Sequence, residues 1–403
     1  ETRLVGLANP RTLLTGSAII PESAPMARAE PERGGGREVE SGRTRPEVRP
    51  GLFKEPRKTS PGYRLDLSNL DLGKTLKELM SVPSLVTSMD GCDITGEGSE
   101  DIIVGDGKKV TLYRITGEQA DFVDQFIPDR AVRVLTVQCA EVDGKPGQEI
   151  LVNQFINNVF DTAILTYRNG RLQILQDHLD VMLVAVDTDG DGINETVWGQ
   201  PYDLSEFFPA GQASRYAMVN GKLKRQGKIE VPKVFRATGV SLANLNGDGR
   251  RDIVLIDESR QLRVYRGKEQ LYKSGDRVGG GYSMAEVKRT MGTIEASVPY
   301  FMEPWMAVAD LDGDGREDVI VPRNTRSLGS YLPNVNVYSG GDVVVLSRKD
   351  FGYNLTPITP QFDGVISGVT VLRQRSYPAF VIAVSQGTFF GGGNSLLLLS
   401  RRP

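Results

Sequence analysis

Five short acidic segments recur along this chain, at Asp93–Asp101, Glu141–Glu149, Asp187–Glu195, Asn244–Asp252 and Asp310–Asp318. The shared pattern is D-x-[DN]-x-D-G-x-x-[DE], with side-chain oxygens at positions 1, 3, 5 and 9. Three segments carry it in full, with Asn244 opening one of them. Their side-chain donors are Asp187, Asp189, Asp191 and Glu195; Asn244, Asn246, Asp248 and Asp252; and Asp310, Asp312, Asp314 and Asp318. Ile193, Arg250 and Arg316, at position 7, can each add a main-chain carbonyl. Oxygens spaced in this way wrap one point, and calcium takes six to eight such hard ligands. Three or four carboxylates held that close repel one another, so the loop needs a bound cation, protonation or disorder.

The other two segments depart from the pattern. In the first, Asp93 and Asp101 keep the ends while Thr95 and Glu97 stand at positions 3 and 5. That loop makes a fourth calcium site beside the expected three. In the second, Lys145 occupies position 5, and its ammonium is expected to replace the ion by pairing with Glu141, Asp143 or Glu149. An EF-hand would need a bidentate Glu at position 12 between two helices. Position 12 is Trp198, Leu255 or Val321, each inside an apolar run, so the EF-hand is excluded.

The elements that must hold these loops repeat with them. First residues of successive loops lie 48, 46, 57 and 66 positions apart. An apolar run precedes each loop, as at Val132–Val137 or Met182–Val186, and another follows at once, as at Ile253–Leu255 or Val319–Val321. A third run ends near a tyrosine in several units, with glycine-containing turns such as Asn169-Gly170 between runs. Three or four short strands per unit, continuously apolar because both faces are covered, make an all-β propeller blade. A sixth unit at Val365–Leu372, Phe380–Val384 and Leu396–Leu399 keeps the strands without the acids. A ring must close or leave an open sheet edge. The alternating segment Tyr63–Leu72 is expected to supply the outer strand of that last blade, giving six blades. Seven would follow if residues 60–90 and 199–232 held another unit.

Residues 1–58 form a separate segment, and the propeller occupies 59–403. The first segment holds 9 Arg, 2 Lys and 8 Glu with one aromatic, which predicts an extended or disordered tail. Within it, Leu13–Ile20 is an apolar patch suited to adding to a partner's sheet edge. A net charge of −3 gives no general pull toward nucleic acid, and no run of 18 apolar residues spans a membrane. One histidine, His178, cannot build a multi-histidine metal site, and it reads as a turn residue between blades. Cys92 and Cys139 leave pairing open. The run Gly279–Tyr282 reads as a turn within the fourth blade. Residues 322–333 read as a polar excursion offering Arg323, Arg326 and Tyr331 to a partner.

The loops and their blades resemble the FG-GAP/VCBS repeat family of integrin-like propellers over roughly residues 85–385. Arg316–Gly340, with Val-Pro-Arg-Asn at 321–324, and Thr388–Asn394 resemble a bacterial subgroup of exported VCBS-repeat proteins. The resemblance implies calcium in the loops and an extracellular or periplasmic location. It names no ligand, because that family hosts adhesins, receptors, assembly factors and a few lyases. The expectation is a secreted, non-catalytic interaction or assembly module whose partner is a protein, a cell-surface polymer or further copies of itself. The alternative is a polysaccharide lyase or hydrolase on the same scaffold.

Overall fold

The computed structural model describes residues 67, 70–203, 207–291, 294–327, 337–350, 352–373, 379–388 and 392–400. The tail at 1–58, Tyr331 and most of Tyr63–Leu72 lie outside that set. The described chain forms a six-bladed β-propeller of antiparallel sheets. Blade 1 runs through Ser88–Cys92, Glu100–Gly105, Val110–Thr116 and Gln119–Phe126. Blade 2 uses Arg133–Ala140, Glu149–Ile156, Thr162–Arg168 and Arg171–Leu179, with the short strand Val159–Phe160 added to its second strand. Blade 3 is Val181–Val186, Thr196–Pro201, Ala213–Val219 and Lys222–Ile229. Blade 4 is Val240–Ala243, Asp252–Ile256, Gln261–Arg266 and Glu269–Arg277. Blade 5 is Ala307–Ala309, Asp318–Arg326, Tyr338–Lys349 and Gly352–Pro357.

Blade 6 takes its first three strands, Val365–Leu372, Ala379–Thr388 and Gly392–Ser400, from the C-terminal end and its fourth from Leu76–Val82. The N-terminal strand therefore closes the ring, but it lies later than expected. Leu76 pairs with Ser400 and Val82 with Ser395. Leu76, Leu79 and Val82 are buried while Lys77, Glu78 and Ser81 face solvent. The alternation at Tyr63–Leu72 has a different use: Leu67 and Leu72 pack with Leu311, Ile358 and Val371 in the core under blades 5 and 6. The described residues of 199–232 form the outer half of blade 3 and hold no seventh blade.

Buried amide side chains tie neighbouring blades together. Asn153 of blade 2 donates to the Leu183 carbonyl at 2.9 Å and accepts from the Leu183 amide at 2.8 Å. Gln138 does the same to Ala185, and Asn324 of blade 5 to Ile366 of blade 6. Each amide satisfies a carbonyl and an N–H of an inner strand that the splayed neighbouring sheet does not reach, as buried backbone requires. Cys92 and Cys139 form a disulfide that joins blades 1 and 2 where their first strands end.

Between blades 4 and 5 the chain makes a two-stranded hairpin, Met284–Met291 with Ile294–Phe301. This excursion accounts for the longest spacing between loops. Gly279 lies outside blade 4 and bridges in parallel to Arg323 of blade 5. Gly279–Tyr282 is therefore a crossing strap, not a turn within the blade. Among the described residues no helix is long and apolar enough to cross a membrane.

Candidate metal centres

All five acidic loops join the first strand of a blade to the second. First strands run the same way in every blade, so the loops gather on one rim. Their backbone geometry repeats too. Glycines at position 4 (Gly96, Gly144, Gly190, Gly247 and Gly313) and at position 6 (Gly98, Gly192, Gly249 and Gly315) take positive φ between 68° and 89°. Only glycine adopts that conformation without cost, and it lets the amides at positions 4 and 6 turn inward. Asp93, Asp187 and Asp310 each accept from both amides, at 2.6–3.1 Å. The acid at position 9 reaches back to the start of its own loop. Asp101 accepts from the Ile94 and Thr95 amides, Glu149 from Val142 and Asp143, Glu195 from Thr188 and Asp318 from Leu311.

The consequence is convergence of carboxylates. Asp187, Asp189 and Glu195 bring one oxygen each within 4.8 Å of one another, as do Asp310, Asp312 and Asp318. Asp191 and Asp314, at position 5, accept from the Ile193 and Arg316 amides at 2.8 Å. Burial pushes the Asp318 carboxyl up to about 8, with the charges of Asp312, Asp314 and Asp310 adding to it. Asp191 is pushed up to about 6 by burial, helped by Asp189, Asp187 and Glu195. Asp312 is raised for the same reasons. These loops hold more negative charge than their own surroundings neutralise. Their donor sets of carboxylates with a position 7 carbonyl fit a hard divalent cation.

In the other three loops a basic side chain stands closer on the acids, at about 3 Å or less from at least one of them. In blade 1, Arg114 reaches Glu97 at 2.8 Å, the Thr95 hydroxyl at 2.8 Å and Asp101 at 3.4 Å. In blade 4, Arg266 forks onto Asp252 at 2.8 and 3.2 Å and reaches Asp248 at 3.1 Å. Asn246 donates to Asp252 at 2.9 Å, while the side-chain oxygens of Asn244 and Asn246 are buried without a partner. In blade 2, Lys145 lies 2.9 Å from Asp143, the pairing expected of it, and Arg168 joins at 2.9 Å. Glu141, Asp143 and Glu149 nevertheless converge as closely as the acids of blades 3 and 5. Glu149, fully buried, is pushed up to about 8 by that burial and by the charges of Asp143 and Glu141.

The arginines on the third strand escaped the sequence reading, since nothing along the chain places a strand residue against a loop some 14 positions earlier. Only the sheet register does. Another missed residue, Arg251, is nearly buried between blades, 3.1 Å from Glu317 and 3.5 Å from Asp187. Two other expectations change. His178 ends the fourth strand of blade 2 and pairs with Asp161 at 2.8 Å and with Arg130, so it is no simple turn residue. Arg323 is committed to Asp342 on the adjacent strand.

The opposite rim carries the turns between second and third strands and the linkers between blades. There a groove of about 940 Å3 is lined by Lys108, Lys109, Arg133, Phe122, Tyr282 and Lys288, among others. The hairpin forms one wall, anchored by reciprocal bonds between Lys288 and Asn158 and by Tyr282 donating to the Gly387 carbonyl. At the acidic end of the axis a cavity of only about 70 Å3 is lined by Asp90, Gln138, Asp187 and Arg373.

Comparison with known proteins agrees with the loop and blade geometry. Residues 244–321 match the FG-GAP-like repeat. The matched stretch begins at the blade 4 acidic loop, contains the whole blade 5 loop and ends in blade 5's second strand. The match thus falls on one stretch of the six-bladed ring. A 4-alpha-glucanotransferase of Thermococcus litoralis is 24% identical over 173 residues, which are 40% of this chain and 25% of that enzyme. The chain thus spans about a quarter of that relative. Among solved structures, BBS1N in complex with ARL6DN aligns with a TM-score of 0.46 at 11% identity, over 81% of this chain and 98% of that one. A glucose dehydrogenase aligns at 0.44 and 10% identity, over 82% and 100%.

Proposed function

We propose that this chain is an exported, calcium-stiffened propeller that acts as a non-catalytic interaction or assembly module. The observation that carries the reading is the division of labour between its rims. One rim gathers carboxylates that lack enough positive charge, and the other offers a broad groove with basic and aromatic walls. Calcium at the first rim would hold the turns from which the first and second strands of each blade spring, keeping the ring rigid. The second rim would be left for a partner with acidic groups, either a protein or a cell-surface polymer. The Cys92–Cys139 disulfide supports an oxidising location outside the cytoplasm or in the periplasm.

The competing reading, a polysaccharide lyase or hydrolase, draws on the same groove. Its lysines and arginine would suit an acidic glycan and Asp106 and Glu286 offer carboxylates, but no histidine lies among the lining residues. Thermal unfolding with millimolar calcium and then with excess chelator, alongside a metal count, tests the structural half. Bound calcium with a Tm drop of several degrees on chelation is expected. The K108E/K288E double variant tests the other half: it should keep its Tm and lose attachment to the producing cell's surface polymer or protein. Release of unsaturated or reducing ends from an acidic polysaccharide by the purified protein would overturn the non-catalytic reading.

A further inference from the structure

The structure assigns a built-in guanidinium, in place of calcium, to the acidic loops of blades 1 and 4, leaving those of blades 3 and 5 as the calcium-dependent pair. This inference rests on the reading of the loops as calcium sites and would put the count at two where spacing alone gives three or four.

The argument is one of register. Asp101, at position 9 of the blade 1 loop, pairs directly across the sheet with Arg114. In blade 4, Ile253 pairs with Tyr265, so the next step sets Asp252 opposite Arg266. In blade 3, where Val197 pairs with Tyr216, two steps set Met218 opposite Glu195. In blade 5, where Val319 pairs with Leu346, one step sets Ser347 opposite Asp318. One sheet position therefore holds arginine in blades 1 and 4 and an uncharged residue in blades 3 and 5; blade 2 has Thr166 there, but Lys145 and Arg168 already stand on its Asp143. Asp101 and Asp252 are fully buried beneath their arginines. A guanidinium forks onto a carboxylate with matched geometry and stays charged at every relevant pH, so it serves where an ion would otherwise be captured. Arg251 and Arg316 also approach the loops of blades 3 and 5, 3.5 Å from Asp187 and 3.6 Å from Asp314, and Arg373 lies against Gly192, but these three meet the start and middle of their loops and not the acid at position 9.

Blade 4 retains the remaining donors of an ion site. The unpartnered oxygens of Asn244 and Asn246 stand beside Asp248 and Asp252, the set a calcium ion would use once the guanidinium left. Outside blade 2, where Lys145 and Arg168 already stand on Asp143, an arginine at this one position decides whether a blade depends on calcium.

Mass-spectrometric and calorimetric calcium counts on the intact chain test this. Wild type should bind two ions, D248N and E97Q should still bind two, and D312N and D189N one each. R266M, which installs the blade 3 residue in blade 4, should raise the count to three. M218R should lower it to one while making that blade indifferent to chelator. Loss of an ion in D248N or E97Q would overturn the inference and leave the calcium reading standing. A wild-type protein without any bound calcium would overturn both.

Discussion

Asp318 illustrates how much a single carboxyl can decide here. Its four-per-cent exposure and three neighbouring acids push it up to about 8, far above the ordinary Asp value. A carboxyl raised in the fold binds its proton more tightly there than in the unfolded chain. Without metal, such a group makes the protein less stable as pH rises from about 4 through about 8. Calcium bound there would reverse the effect, because it would replace the proton and bind the ionised form. Thermal unfolding in chelator should therefore give a lower Tm at pH 8 than at pH 5.5, and the rise in Tm on adding calcium should be larger at pH 8. A calcium effect that is equal at both pH values would show that Asp318 is not a ligand. The arginines of blades 1 and 4 have no such dependence, since a guanidinium keeps its charge throughout.

At the scale of an element, the hairpin between blades 4 and 5 matters most. It is anchored across the groove-bearing rim by residues from three other blades. Tyr300 stacks on Phe207 of the blade 3 region with ring centres 3.7 Å apart, and Ser283 donates to the Leu135 carbonyl of blade 2 at 2.6 Å. Trp305, where the chain returns to blade 5, is buried and donates from its indole nitrogen to the Val137 carbonyl at 2.7 Å. Trp305→Ala should cost about 3–5 kcal/mol in urea unfolding, the usual range for a buried tryptophan whose loss leaves a cavity. A cost below about 1 kcal/mol would show that Trp305 has no part in holding the ring. The buried amides belong to this scale as well. Asn153, Gln138 and Asn324 each bond both groups of a neighbouring strand, and a hydrophobic replacement would orphan an N–H and a carbonyl together.

The whole ring depends on a strand from the other end of the chain. Leu76–Val82 pairs along Gly392–Ser400, and Leu79 and Val82 enter the same core as Val381, Leu397 and Leu399. A chain beginning at residue 84 would leave the third strand of blade 6 as an open edge with a row of unpaired N–H and carbonyl groups. Such a truncation should aggregate on purification and lose its cooperative melt, with or without calcium. A monomeric truncated protein with unchanged Tm would show that closure is dispensable.

Sequence alone determined the class of fold and the location of the loops. The repeat of an apolar run, nine loop residues and another apolar run has few solutions, and the glycines at positions 4 and 6 announce the left-handed turns that close them. It also determined that a strand from before blade 1 must complete blade 6, because five acidic units and a three-stranded sixth leave an edge unpaired. It did not identify that strand, since Tyr63–Leu72 alternates while Leu76–Val82, whose register shifts between Glu78 and Met80, shows no period of two. Tertiary structure decided which loops carry uncompensated charge. Arg114 and Arg266 are ordinary strand residues in the chain, and they become cations of the loops only when antiparallel pairing sets them opposite Asp101 and Asp252. Coulomb interactions act through space over a few ångströms, whereas sequence spacing records only distance along the chain.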